Sequence, residues 1–196
     1  MTIDEQKKLD NILKVVREQS YQCMCPECTQ DAINSHYLQR HGVLNRISKN
    51  NNFWELKHKP PFYWTDSIYA YEFKKCGINN AFSIPTFCEK HDNELFNFFE
   101  NGKLDCDDYK TQLFLSFRTL CCDIRKFEQV LNQWLLILKE DSGLNITVSP
   151  QIINHIENIK NTILKQENLK EHLLCEIQHF SGAFTFKHFT YDQVKV

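Results

Sequence analysis

The apolar residues in the second half of the chain recur at helical spacing. Eight of them follow alternating steps of four and three residues: Leu113, Phe117, Leu120, Ile124, Phe127, Leu131, Trp134 and Leu138. Such a stripe marks the buried face of an amphipathic helix. Further apolar residues make it wider than a coiled-coil seam. The pattern therefore predicts a long helix in a globular bundle.

A second long helix is predicted from Pro150 to about His179. Ser149 suits the N-cap position, and proline is favoured at the first helical residue. The apolar stripe loses its phase at "KQEN", which allows a kink near residue 166. We expect the two long helices to pack as an antiparallel pair.

The two ends of the chain and its centre follow other patterns. Thr2 and Glu5 form a capping box that predicts an opening helix. Between residues 21 and 88 the helical period is lost, and "KHKPPFYWTDSIYAYEFKKCG" is typical of a loop with short strands. The tail "GAFTFKHFTYDQVKV" alternates like a strand. That strand needs a neighbour in the central region, in another subunit or in a further domain.

These elements predict an α+β fold that is mainly α. The expected units are an N-terminal helix over 1–20, a small module with short strands over 21–103, long antiparallel helices over 104–182, and a terminal strand over 183–196. In one interpretation, the terminal strand is the start of a further domain.

Composition narrows the class of protein. A hydrophobic content of 42% with only 5 Gly and 5 Pro fits a folded, helix-rich chain. No apolar run approaches the roughly 20 residues of a membrane span, and the amphipathic N-terminus differs from a signal peptide. We therefore expect a cytoplasmic protein with no membrane partner. The nine cysteines then indicate metal ligands and buried thiols rather than disulfides.

The central region is basic although the whole chain has a formal charge of -2. Lysines and arginines alternate there with aromatic residues. Cationic groups neutralise phosphates and rings stack on bases, so the composition favours a nucleic-acid surface. Alternatively, the aromatics form the core of this region and the charges are solvated. The expected phosphate contacts are Arg40, Arg46, Lys49, Lys57 and Lys59.

Two pairs of soft ligands indicate a metal site. Cys25 and Cys28 have the C-x2-C spacing of a zinc knuckle, and Cys23 offers an alternative C-x4-C pair with Cys28. Cys88 and His91 form the second pair, at the start of a predicted helix whose dipole favours a thiolate. A knuckle, strands and then a helix that supplies the second pair make a treble clef. We expect one tetrahedral, structural Zn²⁺ in this module.

Two other interpretations of these residues stay open. In the first, Cys23 and Cys88 are buried thiols and His91 caps a helix. In the second, an iron–sulfur cluster uses the four cysteines at positions 23, 25, 28 and 88. The choice between Cys23 and Cys25 as a zinc ligand also stays open.

The stretches "CMCPECTQDAINSHYLQR" and "GINNAFSIPTFCEKHDNELFNFFE" together resemble the HNH, or His-Me finger, group of nucleases. They are more similar to a set of uncharacterised bacterial zinc proteins with a C-x4-C…AI-x-SH…FC-x-KHD-x-x-LF pattern. The resemblance covers about residues 23–100 and leaves the long helices unaccounted for. In the closer pattern, Cys23 and Cys28 are the first ligand pair and Cys25 is a bystander.

The resemblance implies a catalytic role for His36. In such nucleases, a histidine on the strand after the first knuckle activates a water against a phosphodiester. A separate divalent ion, Mg²⁺ or Mn²⁺, stabilises the developing charge. Here Ser35 replaces the aspartate that often precedes the histidine. The later asparagine and histidine of the family fall near Asp92, Asn93 and Asn97.

Three functional hypotheses follow. The first is a zinc-stabilised, HNH-like nuclease module that cuts DNA or RNA, with His36 as the base. The second is a catalytically degenerate zinc module that binds nucleic acid or a protein without cleavage. In the third, the stripe from Leu113 to Leu138 forms a homodimer through the helical domain and the zinc element is a brace.

Overall fold

The computed structural model describes residues 2–38, 43–58, 71–100, 104–139, 142–144 and 147–187. Within these ranges lie the helices α1 (Ile3–Glu18), α2 (Asn45–Ile47), α3 (Glu89–Glu100), α4 (Tyr109–Ile137) and α5 (Pro150–His179). The strands are β1 (Ile33–His36), β2 (Asn52–His58), β3 (Tyr71–Gly77) and β4 (Ser83–Phe87). Helical residues predominate, so the predicted α+β, mainly α, fold class is confirmed.

Side-chain caps fix where the longer helices begin. The Thr2 hydroxyl accepts a hydrogen bond from the Glu5 backbone N–H at 3.2 Å, and the Glu5 carboxylate accepts one from the Thr2 N–H at 2.7 Å. Asp108 caps α4 by accepting the Thr111 N–H at 2.8 Å. Ser149 caps α5, which starts at Pro150. Each cap satisfies a backbone donor that a helix start leaves without a partner.

The two long helices form the predicted antiparallel pair. The Tyr109 hydroxyl at the start of α4 donates to the Glu176 carboxylate near the end of α5, at 2.7 Å. At the opposite end of the pair, the Trp134 and His155 rings lie 5.7 Å apart. Helix α5 continues through residue 166 without a break. The phase change at "KQEN" therefore does not end the helix.

Two apolar cores lie along this pair. One is formed where α1 crosses the far end of α4 and α5, and it contains Leu9, Trp134, Ile137, Ile156 and Ile159. The other joins the start of α4 to the strands and α3. No helix among the described residues has the length and hydropathy needed to span a membrane.

The strands make two separate antiparallel pairs, β1 with β4 and β2 with β3. The β2–β3 ribbon is thus an insertion between the two strands of the first pair. One face of the β1–β4 pair lies against α4. There the Thr86 hydroxyl is 3.4 Å from the Cys122 sulfur, and Ser35 is completely buried.

Aromatic contacts join β4, α3 and α4. The Phe87 ring at the end of β4 lies 5.1 Å from Phe96 of α3 and 5.9 Å from Phe117 of α4. Buried Arg118 adds ion pairs with Asp92, at 3.6 Å, and with Glu100. The strand-bearing module and the long helices therefore share one core.

The tail returns to the start of α4. The Phe184 backbone N–H donates to the Tyr109 hydroxyl at 3.3 Å, and the Phe186 ring lies 5.6 Å from the Tyr109 ring. Residues 181–187 form no strand, because their alternating phenylalanines pack onto helices. The rest of the predicted strand, 188–196, lies outside the described residues.

Buried Glu176 holds the turn between α5 and this tail. Its carboxylate accepts hydrogen bonds from the Ser181 hydroxyl, the Tyr109 hydroxyl and the Gly182 backbone N–H. These donors, Ser181 first, hold the pKa of the Glu176 carboxyl below its ordinary value of 4.5. A negative charge therefore fixes the C-terminal turn of α5.

We expect Phe117→Ala to lower the free energy of unfolding by about 3–5 kcal/mol, because it opens a cavity in the core behind Phe87. Leu135→Ala, at an exposed position of the same helix, is the control and should change that energy by less than about 0.5 kcal/mol. Urea denaturation of the metal-loaded protein measures both. Equal effects of the two substitutions would contradict the shared core.

Candidate metal centre

The first two ligands lie in a tight reversal of the chain before β1. The Cys28 N–H donates to the Cys25 carbonyl at 3.3 Å, and the Cys23 N–H donates to the Gln30 carbonyl at 2.9 Å. Glu27 has a φ of 59°, in the left-handed region that such a reversal needs. The Met24 N–H donates to the Thr86 carbonyl at 2.9 Å. This last bond ties the knuckle to β4.

The second two ligands lie where β4 becomes α3. Cys88 is the residue between the strand and the helix, and His91 is in the first helical turn. The Cys88 sulfur accepts the His91 backbone N–H at 3.5 Å. The hydrogen bond between Met24 and Thr86 holds the knuckle beside β4, and Cys88 directly follows that strand. The Cys88 sulfur therefore lies next to the knuckle sulfurs.

Four ligand atoms converge at this junction. The sulfurs of Cys23, Cys28 and Cys88 and a ring nitrogen of His91 all lie within 4.8 Å of one another. The Cys28 and Cys88 sulfurs are 3.9 Å apart. The Nδ1 atom of His91 is 3.4 Å from the Cys23 sulfur and 3.3 Å from the Cys88 sulfur.

These separations fit one tetrahedral ion. Zinc binds thiolate sulfur at about 2.3 Å and imidazole nitrogen at about 2.0–2.1 Å, so tetrahedral angles place two sulfurs about 3.8 Å apart and sulfur about 3.5 Å from nitrogen. The observed distances lie close to both values. Three cysteines and one histidine are also a common donor set of structural zinc sites. The cluster can therefore hold a metal ion of this kind.

The thiols of the cluster differ in their environments. Burial raises the pKa of the Cys23 thiol. Burial acts in the same direction on Cys88, but hydrogen bonds from the His91 backbone and from the neighbouring thiols outweigh it and lower the Cys88 pKa. Metal ligation requires thiolates, so binding releases protons from this cluster. Of Cys23 and Cys88, Cys88 is therefore the thiol better prepared to lose its proton.

Cys25 lies beside the cluster and is not one of the four grouped ligands. Burial and the adjacent Cys23 thiol raise the Cys25 pKa. Cys25 also lines a cleft of about 620 Å³, together with Arg125 and Lys170. Of the two pairings that the spacing allowed, the geometry brings together Cys23 with Cys28, as the resemblance implies.

His36 ends β1 and is half-buried. Its Nε2 atom lies 3.1 Å from the Ile78 carbonyl oxygen. A carbonyl can only accept, so Nε2 carries the hydrogen of this bond. The neighbouring Ser35 faces the other way: its hydroxyl donates to the Ile33 carbonyl and accepts the Phe87 N–H.

A ligand set for a second, catalytic metal is not assembled in the described part of the chain. There, the cluster of Cys23, Cys28, Cys88 and His91 is the only group of three or more His, Cys, Asp or Glu ligands. Ser35 belongs to the strand scaffold, and Asp92 is paired with Arg118. These residues therefore do not fit a bound Mg²⁺ or Mn²⁺.

Three of the five predicted phosphate contacts lie within the described residues. Arg46 and Lys49 are exposed near the start of the ribbon. Lys57 pairs with Glu55 at 3.3 Å. Arg40 and Lys59 lie outside the described residues.

Sequence reasoning did not assign roles to two buried arginines of α4. Arg118 anchors α3, as described above. Arg125 donates to the Gln22 carbonyl at 2.6 Å and to Glu128 at 2.7 Å, and it lies 4.6 Å from the Tyr21 ring. It thereby fixes the residues just before Cys23. Arg118 and Arg125 are seven residues apart, which places them on one face of α4 beside the apolar stripe. This spacing was the sequence signal that could have indicated their buried positions.

No family model matches the chain, and comparisons with curated proteins and with solved structures find no match either.

We expect Cys88→Ser to abolish stable metal binding and to unfold the module, because a structural site that loses a ligand also loses the folding energy of the ion. Cys25→Ser is the matched control and should keep the same metal content and melting temperature as the unaltered chain. Elemental mass spectrometry and thermal denaturation measure the two effects. Metal loss in Cys25→Ser, with retention in Cys88→Ser, would contradict the assignment.

Proposed function

We propose that this chain is a zinc-stabilised module that binds nucleic acid. The proposed fold of the module is a treble clef, in which a knuckle, an antiparallel strand pair and a helix hold one zinc ion between them. The order of Cys23 and Cys28, then β1 and β4, then Cys88 and His91 supports this assignment. The ion has a structural role in it, since four protein ligands leave no open position.

The observation that carries the proposal is the exposed β2–β3 ribbon. Its inner side is held to the module by Phe53, whose ring stacks on Phe82 at 5.4 Å. Its outer side presents Trp54 and Phe73, which are 66% and 71% exposed. Exposed apolar surfaces of this kind are uncommon on monomeric proteins and are typical of binding sites.

The charge of the ribbon favours a polyanion as the partner. Residues 49–58 and 71–77 contain four lysines and two glutamates, whereas the whole chain has a formal charge of -2. The lysines are Lys49, Lys57, Lys74 and Lys75. Cationic groups on an otherwise acidic protein create a local field that attracts phosphates. Aromatic rings beside them add a surface for bases.

The proposal predicts a salt-dependent interaction with nucleic acid. With two or three phosphate contacts, the logarithm of the association constant should fall with the logarithm of salt concentration with a slope of about -1.4 to -2.7. Lys75→Gln should reduce the slope by about 0.7–0.9. Fluorescence anisotropy with labelled oligonucleotides measures both quantities.

Lys160→Gln is the matched control, because Lys160 lies on α5 away from the ribbon and pairs with Glu157 at 2.7 Å. It should leave the slope unchanged. Absence of binding at low salt to any DNA or RNA, with zinc fully bound, would contradict the proposed function.

A nuclease is the second candidate, supported by the position of His36 at the end of β1, where the hydrogen bond to the Ile78 carbonyl orients its ring. In that mechanism His36 would take a proton from water. The water oxygen would then form a bond to phosphorus, and the bond from phosphorus to the leaving sugar oxygen would break. Mg²⁺ or Mn²⁺ supplies charge stabilisation in such reactions. Ser35 and Asp92 are engaged in other contacts and do not fit that ion.

If the chain is a nuclease, His36→Ala should lower the cleavage rate by about 10²–10⁴-fold, the usual contribution of a general base. Zinc content should stay the same. His172→Ala, at an exposed position of α5, is the control. Plasmid and RNA cleavage with Mg²⁺ or Mn²⁺ measures the effect. Full activity in His36→Ala would contradict this mechanism. If the unaltered chain does not cleave either substrate, the nuclease is excluded and the binding module remains the proposed function.

A further inference from the structure

We infer that the ribbon binds single-stranded nucleic acid by stacking bases on its outer face. This inference rests on the proposed function and adds the class of ligand and the residues that select it. The outer face is defined here by Trp54 and Leu56 of β2 and by Tyr71, Phe73 and Lys75 of β3.

The register of the ribbon brings these side chains to one side. Trp54 is opposite Lys75, and Leu56 is opposite Phe73. Side chains directly across an antiparallel pair point to the same face, and those two residues apart along one strand do as well. Tyr71 therefore shares the face of Phe73.

Exposure confirms which face is the outer one. The four apolar side chains of the outer face are 54–71% exposed. On the opposite face, Phe53 stacks on Phe82 and Cys76 is half-buried. Glu55 and Lys57 pair with each other on that face. The outer face thus combines three aromatic rings and one aliphatic side chain with a lysine.

The chemistry of this face decides between single and double strands. A two-stranded ribbon reads duplex DNA through side chains that hydrogen-bond to base edges in the major groove. The outer face instead presents flat apolar rings, and Lys75 is its only charged residue among those described. Bases inside a duplex are already stacked on both sides, whereas those of a single strand can stack on protein rings.

The spacing of the rings suits successive bases. Trp54 and Phe73 are diagonal neighbours on the outer face, which places the two residues roughly 7–8 Å apart. Tyr71 follows Phe73 at two residues, or about 6.8 Å along the strand. One strand of nucleic acid can therefore cross the outer face with bases on Trp54 and Phe73 and a phosphate near Lys75.

The test compares oligothymidylate with a duplex of equal length, using the zinc-loaded full chain and fluorescence anisotropy. We expect tighter binding of the single strand. Trp54→Ala and Phe73→Ala should each weaken that binding by about 5- to 100-fold, the usual effect of removing one stacking ring. Trp54→Phe keeps a ring and should restore most of the affinity. Zinc content and melting temperature verify that each variant is folded.

Leu56→Ala distinguishes base stacking from apolar docking, because Leu56 lies on the same face and has no ring. If bases stack on the rings, Leu56→Ala should change single-strand affinity by less than about threefold. If the face instead binds its ligand through apolar contacts in general, Leu56→Ala and Trp54→Ala should weaken binding to a similar extent. An equal loss in Leu56→Ala and Trp54→Ala would overturn the inference.

Two further outcomes separate this inference from the proposed function. Salt-dependent binding of the duplex that is at least as tight as that of the single strand, and unaffected by Trp54→Ala, would overturn the inference and keep the proposed function. Absence of binding to both probes would overturn both.

Discussion

The fold depends on the meeting of two ligand pairs that are 60 residues apart in the chain. Cys23 and Cys28 come from the reversal before β1, while Cys88 and His91 come from the start of α3. The part of the chain between them contains both strand pairs. A metal ion held by all four ligands would close this long loop, which chain entropy otherwise opposes. The β2–β3 ribbon can then project as an insertion because its two ends are fixed.

The long helices support this junction from behind. Phe117 packs on Phe87, directly before Cys88, and Arg125 holds the backbone before Cys23 through the Gln22 carbonyl. Both ligand pairs are thus positioned by one helix, α4. A site whose ligands are held by packed side chains needs little rearrangement to accept its ion. The long helices of this mainly helical chain thus determine the geometry of its small, strand-bearing module.

Much of the fold could be predicted from local signals in the sequence. The starts of α4 and α5 follow from Asp108 and Ser149, because a cap acts within a few residues. The ligand spacings could not decide between Cys23 and Cys25, since that choice depends on which sulfur the folded chain brings to Cys88 and His91. The sequence of β2 likewise could not show which face of the ribbon is exposed. That depends on the contact of the ribbon with Phe82, which is remote in sequence.

The most direct test of this account is the absorption spectrum of the protein loaded with Co²⁺ in place of zinc. The account predicts one Co²⁺ per chain, with the intense visible bands of a tetrahedral ion and charge-transfer bands from three thiolates. One equivalent of Zn²⁺ should displace it. A weak spectrum typical of six oxygen ligands, or no uptake of Co²⁺ by the reduced protein, would contradict the central claim that Cys23, Cys28, Cys88 and His91 hold one metal ion.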